Sequence, residues 1–578
     1  MNSLVQKKEA LGLVVVMAAA TMLLLVGWRL FWFMTDDAYI AFRYVSNSLL
    51  GHGYVWNPPP FQPVEGYTSF LWVVLLDGIW RLLGVEPPDS SNWLALLFSL
   101  GTLALTALMM WRLAWNERLR PWRLVWLALG LLGLLTNRTF LTWGSSGLET
   151  AMFNFWIALW IWCVCFVTPG PRQLTAVSTV AAGIYLIRPD GLLYVAATLA
   201  LLVLAWPGQR GRALLARLAA GAPLLMVVIH MLWRHSFYGE WLPNTFYAKS
   251  NGWWWECGWR YAASFFLEYG LVVWLLAALA ALVVWARRSG FPRLGKTEGG
   301  LFQGLEKLLT ASAPSLMRGV AVATVLAHVL YYTLIIGGDH FEYRVYSHVV
   351  PLLWVSLLWA VNVLMVRRWT AVLALLLALG ISWPLPWVHW AKTCELDRRE
   401  STRETTEIRH GFRFKTRHYV KLFDDCQTWL IAHFACLRHQ GHKMFLLEQL
   451  ADHPTRAEGS RISGAGFPIM ATKTVGYTGW VLPHVCILDQ HGLNDYVIAR
   501  APLEPQRFRI MAHEHLPPPG YEASFGVNVV LSNRTFVVKP RAAPLTAEDI
   551  RRIEAHWFRW LQAPMNTPPP AARPLAAG

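Results

Sequence analysis

Eleven apolar runs occupy the first two thirds of this 578-residue chain: Leu11–Phe33, Trp93–Trp111, Trp122–Phe140, Leu148–Val167, Leu174–Ile187, Leu192–Trp206, Leu214–Trp233, Tyr269–Trp285, Val320–Ile336, Val349–Val366 and Trp369–Trp387. They measure 14 to 23 residues, against the roughly 20 that a helix needs to cross a bilayer, so the shorter ones imply tilted or broken helices. Such a pattern predicts a mainly α polytopic membrane protein. Composition excludes a soluble enzyme, because 55% of residues are hydrophobic, only 15% are charged and the mean hydropathy is +0.35. The 33 tryptophans suit interfacial belts.

A net charge of +16 would suggest nucleic acid in a soluble protein, but the basic residues sit in short loops between apolar runs, where they act as topology determinants. Inside loops then carry Lys7 and Lys8; Arg112, Arg118, Arg120 and Arg123; Arg172; Arg210, Arg212 and Arg217; Arg287, Arg288, Arg293, Lys296, Lys307 and Arg318; and Arg367 with Arg368. This scheme needs Phe70–Leu83 to lie along the outer surface as an interfacial helix, and it places the N-terminus inside and the C-terminus outside. Leu11–Phe33 is longer than the apolar core of a signal peptide and lacks a small-residue cleavage site, so it reads as an uncleaved anchor. Acidic residues played no part in building the scheme, yet thirteen of them fall outside, among them Asp36, Asp37, Glu65, Glu149, Asp190, Asp339 and Glu342, and only Glu9, Glu117, Glu298 and Glu306 inside. That bias points to a site gathered on the outer face.

The chain divides into a membrane domain over 1–388 with a first outer loop over 34–92, an exported mixed α/β domain over 389–563, and a disordered Pro/Ala tail over 564–578. In the exported part HVCILD (His484–Asp489) and VNVVL (Val527–Leu531) read as strands, and QHGLNDYVIAR (Gln490–Arg500) as a turn into a helix. Of the seven cysteines, Cys394, Cys426, Cys436 and Cys486 lie there, and four thiols admit three full pairings. No spacing suggests zinc.

Polar clusters punctuate the outer loops. Asp36-Asp37 follows the first run directly, and adjacent carboxylates at a membrane exit are costly without a task. RPDG (Arg188–Gly191) is either a simple turn or an anion site at membrane depth. YGEWLPNTFYAK (Tyr238–Lys249) carries Asn244, Tyr247 and Lys249 beyond what an aromatic belt needs. GGDHFEYR (Gly337–Arg344) is either a helix cap followed by a surface ion pair or a ligand site with Asp339, His340 and Arg344. Glu149 in GLET sits at a helix start, where capping is the default role.

With DDAYIAFRYVSN (Asp36–Asn47), GHGYVWNP (Gly51–Pro58), VEGYTSFLW (Val64–Trp72), GLET, RPDGLL (Arg188–Leu193), PNTFYAK (Pro243–Lys249), GGDHFEYR and LDQHGLNDYVIAR (Leu488–Arg500) in this order, the chain resembles the GT-C superfamily of glycosyltransferases. Within it, the chain is similar to the terminal arabinofuranosyltransferase group of actinobacterial cell walls and its relatives. Pro58-Pro59-Pro60 departs from the glycine that follows WNP in those relatives.

The resemblance implies transfer of a sugar, arabinofuranose or a related pentose, from a polyprenyl-phosphate donor to a cell-envelope glycan on the outer face of the bacterial inner membrane. That chemistry needs a carboxylate base, assigned to Asp36 and Asp37 together, and cations for the donor phosphate, available in Arg43, Arg188, Lys249 and Arg344. Glu65, Tyr67, Asp190, Asn244, Tyr247, Asp339 and His340 are candidates for sugar or acceptor hydroxyls. No cofactor is implied with certainty; a divalent cation on the two aspartates needs a third ligand such as Glu65 or Asp339. Two rival classes are a transporter and a glycan-binding envelope protein. The first wants ionisable residues near midplane, where His230 and His328 are the main exceptions in spans almost free of them, both readable as packed side chains. The second, served by His513, Glu514 and His515, leaves Asp36-Asp37, Arg188 and Arg344 without a task.

Overall fold

The computed structural model describes residues 3–204, 212–249, 252–289, 300–365, 367–394, 396, 407–503, 509–564 and 568–569. Arg210, Arg293, Lys296, Glu298 and most of the tail lie outside them, as do the side chains of Arg212, Glu306 and Lys307.

Each of the eleven runs is mainly helical over its described residues. Among the described residues six helices are long and apolar enough to cross a membrane, Gln6–Leu30, Pro87–Arg112, Leu215–Tyr238, Leu271–Arg288, Ser315–Ile336 and Arg368–Cys394, and shorter apolar ones cover Thr150–Phe166, Pro189–Leu204 and Val349–Leu364. This is a multi-pass, mainly α membrane protein. Trp122–Phe140 does not form one rod. Its helix stops at Leu135, and Asn137 caps a new short helix, Arg138–Thr142, by accepting the Phe140 N–H. That break carries Arg138 into the interior. Phe70–Leu83 is a helix of 14 residues, about 21 Å at 1.5 Å per residue and too short to span. Gly84 ends it in the left-handed region at φ 70°, and Asp77 on its buried face accepts from Ser48, Tyr54 and Arg81.

The C-terminal part is helical with two small sheets. Parallel β1 (Ile469–Thr472) and β2 (Cys486–Asp489) pair Ile469 with Cys486, and β3 (Val529–Ser532) and β4 (Thr535–Val538) form an antiparallel hairpin. Both predicted strands are present, but the predicted helix after LDQHG is only one 3₁₀ turn, Ile498–Arg500. Asp489 accounts for this, since it folds the segment into a turn by accepting the His491 N–H, the Asn494 N–H and the Asn494 amide. None of the seven cysteines is in a disulfide.

One helix joins the two parts. Asp36–Leu49, with 11 of its 14 residues buried, packs against the short helix Gly476–Val481. The approach is so close that a Cβ on Gly476 would lie 1.9 Å from the Asp36 carbonyl oxygen, and one on Gly66 1.8 Å from Asn494 Oδ1. Only glycine fits at either position.

Candidate active site

A cavity of about 240 Å³ opens where the loops after Gln6–Leu30, Leu215–Tyr238 and Ser315–Ile336 meet the C-terminal part. Its wall takes residues from remote stretches of chain: Asp37 from the first turn of Asp36–Leu49, Tyr67 from the first loop, Arg188 and Asp190 from RPDG, Lys249 from the end of Asn244–Lys249, and Asp339 with Arg344 from GGDHFEYR. Leu493, Met511 and Ala512 close it from the C-terminal side.

Local structure aims each group. Arg188 ends the helix Pro171–Ile187 in an extended conformation before the 3₁₀ turn Pro189–Gly191. Its Nη1 donates to Glu149 Oε1 at 2.9 Å, its Nε to Asp190 Oδ1 at 3.2 Å and its Nη2 to the Tyr332 oxygen at 2.6 Å. Tyr332 reaches this point from a π-helical end, Tyr331–Ile336, of the long helix before it, the kind of irregularity that re-aims side chains at functional sites. Arg344 holds Asp339 through two bonds, 2.7 Å from Nε and 3.3 Å from Nη2. Asp339 is itself anchored, because the backbone of 339–342 pairs with Cys436 and Leu437 of the C-terminal part.

Two groups in the cavity are uncommitted. Among the described residues the Asp37 carboxylate makes no hydrogen bond or ion pair, and the Lys249 ammonium forms no salt bridge. Burial lowers the Lys249 pKa, opposed by the charges of Asp37 and Asp339. For Arg344, burial is the largest influence and works against the charge, but the charges of Asp339 and Glu149 and the hydrogen bond to Asp339 together raise the pKa.

The other predicted site residues have structural work. Asp36 is buried and accepts the N–H groups of Gly476 and Tyr477, at 3.2 and 2.8 Å, so it docks the C-terminal part. Arg43, fully enclosed, donates to the carbonyls of Trp56, Gly479, Leu482 and Val485 and to Asn57 Oδ1; it cannot reach a phosphate in the cavity. Glu65 is paired with Arg234 at 2.6 Å. Asn244 donates to the carbonyls of Gly492, Leu493 and Asp495. Tyr247 donates to Glu240 and stacks on Arg500. His340 donates from Nδ1 to the Phe434 carbonyl, and its ring lies 5.2 Å from that of His513, beside the cavity rather than on its wall; burial pushes its pKa down to about 4. Replacing Arg43 by Met should therefore lower stability by about 3 kcal/mol or more, since several buried carbonyls lose their donor. Donor KM in the surviving protein should stay unchanged. A raised KM with unaltered melting would return Arg43 to the site.

Sequence reasoning missed Glu149, Tyr332 and His328. Glu149 makes no capping hydrogen bond and instead receives Arg188. Tyr332 and His328 sit in an apolar run that carries no sign of their partner. Among the described residues, three metal-ligating side chains converge at Glu268, Glu342 and His389, away from the cavity. There Arg138 Nη2 donates to both carboxylates, at 2.9 and 2.6 Å, and supplies the positive charge.

No family model matches the chain, and no curated protein matches it in sequence. Among solved structures it is similar to ArnT from Cupriavidus metallidurans bound to undecaprenyl phosphate, with 14% identity, 86% of this chain and 89% of that chain covered, and a TM-score of 0.44.

Proposed function

We propose that this protein is a membrane glycosyltransferase that moves a sugar from a polyprenyl-phosphate donor to a hydroxyl of a cell-envelope glycan. The observation that carries the reading is the convergence of one uncommitted carboxylate, Asp37, with three cations, Arg188, Lys249 and Arg344, in a single cavity. These residues are far apart in sequence, and the resemblance of their motifs to the terminal arabinofuranosyltransferase group favours arabinofuranose or a related pentose. The cavity lies beside the ends of Gln6–Leu30, Leu215–Tyr238 and Ser315–Ile336, and the basic loops lie between their opposite ends. By the positive-inside rule the cavity then faces the outer side of the inner membrane.

In the reaction the acceptor oxygen bonds to the anomeric carbon as the bond from that carbon to the phosphate oxygen breaks. The phosphate leaves with the electron pair and gains one negative charge, which Lys249, Arg188 and Arg344 stabilise. Asp37 takes the acceptor proton. Guanidinium groups suit this task because their planar fork donates two parallel bonds, and their carboxylate partners hold that fork in place.

Incubation of the purified protein with labelled polyprenyl-phosphate sugars, with and without chelator, tests the reading. It predicts release of polyprenyl phosphate coupled to glycosylation of an added glycan; no transfer from any such donor rejects it. Arg188→Lys should raise donor KM at least tenfold with little change in melting, because a point charge replaces the fork. Equal donor KM in the two proteins would remove Arg188 from the donor site.

A further inference from the structure

At the ends of the spans opposite the cavity, two loops remote in sequence are locked into one surface. Val345 lines the cavity, and the helix Val349–Leu364 that follows it extends for about 24 Å at 1.5 Å per residue. Residues 362–368 therefore lie at its far end. The loop 113–122 is tied to them there: the Asn116 N–H donates to Asn362 Oδ1 at 2.8 Å, Asn116 Nδ2 to the Asn362 carbonyl at 2.9 Å, and Asn362 Nδ2 to the Ala114 carbonyl at 2.8 Å.

Arginines cover this junction. Arg368 Nε donates to the Arg118 carbonyl at 2.8 Å, and Arg288 Nη1, from the end of Leu271–Ser289, donates to the Val363 carbonyl at 3.1 Å. A guanidinium has five N–H groups, so each keeps most of its donors, and Arg368 keeps its whole Nη1–Nη2 edge. Arg118, Arg288, Arg367 and Arg368 are exposed, and among the described residues none is in a salt bridge. Glu117 is the sole carboxylate in 113–122 or 362–370, and it too is exposed and in no salt bridge among the described residues. Arg123, by contrast, is paired with Glu9. The helices Arg123–Leu135 and Arg368–Ser382 both begin here with no side-chain cap and no acidic residue in the first turn, which adds to the positive potential of the arginines.

A topology determinant needs charge and no fixed geometry, whereas Arg288 and Arg368 are pinned on backbone carbonyls. The surface is also amphipathic. Trp369, 73% exposed, packs edge-on against Trp122 with ring centroids 5.1 Å apart. Trp369, Leu373 and Leu377 follow one another at four-residue spacing as an exposed ridge of Arg368–Ser382. Fixed cations that run on into an apolar ridge match a phosphate joined to an acyl chain; a soluble acidic protein would leave the ridge unused.

We infer that this surface binds an anionic phospholipid, with its phosphodiester on Arg288 and Arg368 and an acyl chain along Trp369, Leu373 and Leu377. The rule that puts the cavity on the outer side puts this site in the inner leaflet. The site is separate from the cavity and stands whatever sugar donor the cavity takes.

Native mass spectrometry of the full-length protein, with polyprenyl monophosphate in excess to occupy the cavity, measures affinity for phosphatidylglycerol, cardiolipin and phosphatidylcholine. Both anionic lipids should bind at least tenfold more tightly than the zwitterionic one. Arg288→Gln combined with Arg368→Gln should weaken anionic binding roughly tenfold, through loss of two charge-assisted contacts. Arg172→Gln combined with Arg318→Gln removes the same charge from other inner loops and should leave it unchanged. Equal losses in the two pairs would mean general attraction to a basic face and overturn the site. A parent protein that takes anionic and zwitterionic lipid alike overturns it too, and is the result expected if the surface receives a soluble acidic protein or serves topology alone. Should the glutamine pair not insert, Arg288→Lys combined with Arg368→Lys carries the test, because charge is kept and the fork is lost. Several-fold weaker anionic binding then supports the site, and parental affinity overturns it.

Discussion

Asp37→Asn should lower sugar transfer by about a hundredfold to ten-thousandfold, the range over which a positioned general base acts, with donor affinity and melting close to those of the parent protein. Shape is kept and basicity lost. The neighbouring Asp36→Asn separates the two adjacent carboxylates, because Asp36 accepts two backbone N–H groups of the C-terminal part and an amide oxygen is a weaker acceptor for them. That variant should melt earlier and keep transfer chemistry in the folded fraction. Turnover at the parent rate from purified Asp37→Asn would withdraw the base assignment. A loss confined to Asp36→Asn would reverse the roles.

The second large effect concerns stability. Arg138 is 1% exposed and Glu268 0%, and Arg138 Nη2 bridges Glu268 and Glu342 while Arg438 lies close enough to feel both carboxylates. Two guanidinium groups balance two carboxylates without contact with solvent. Arg138→Met should cost about 3 to 5 kcal/mol, because it strands buried negative charge rather than removing a matched pair. Adding Glu268→Gln should recover part of that loss. Heating the purified proteins and following the remaining folded fraction by size exclusion measures both effects; an Arg138→Met midpoint equal to the parent's would show that the carboxylates find another partner. The cluster also bears on the site. The Glu342 N–H donates to the Leu437 carbonyl, and Trp143 donates to the Glu342 carbonyl, two residues before Arg344.

The helices were legible in the sequence because lipid imposes a local rule: a long apolar run must satisfy its own backbone, whatever surrounds it. The strands β2 and β3 were legible from short runs rich in β-branched residues, while their partners β1 and β4 were not expected, and the helix expected after LDQHG failed because one buried carboxylate, Asp489, captures the N–H groups that a helix would use. The same kind of local competition broke Trp122–Phe140 at Asn137.

Of the candidates read from the motifs, Asp37, Arg188, Lys249, Asp339 and Arg344 line the cavity; charged residues at membrane exits stand out against an apolar background. Motif reading also gathered Asp36, Arg43, Glu65, Asn244, Tyr247 and His340, which the fold places outside the cavity wall. Residue type does not separate these two sets. Arg43 is fully enclosed and spent on four backbone carbonyls, whereas Arg188, though paired with Glu149, Asp190 and Tyr332, lines the cavity.

What the chain alone determined is its class: a bundle of membrane-crossing helices, with acids collected beyond one end and bases beyond the other, follows from hydropathy and charge order along a single strand of sequence. What tertiary structure decided is which of those charges remain available. Pairing is a matter of distance between groups remote in sequence, such as Arg188 with Glu149 and Tyr332, or Asp36 with the N–H groups of Gly476 and Tyr477. A carboxylate stays available as a base only where the fold leaves it without such a neighbour, as it does for Asp37 among the described residues.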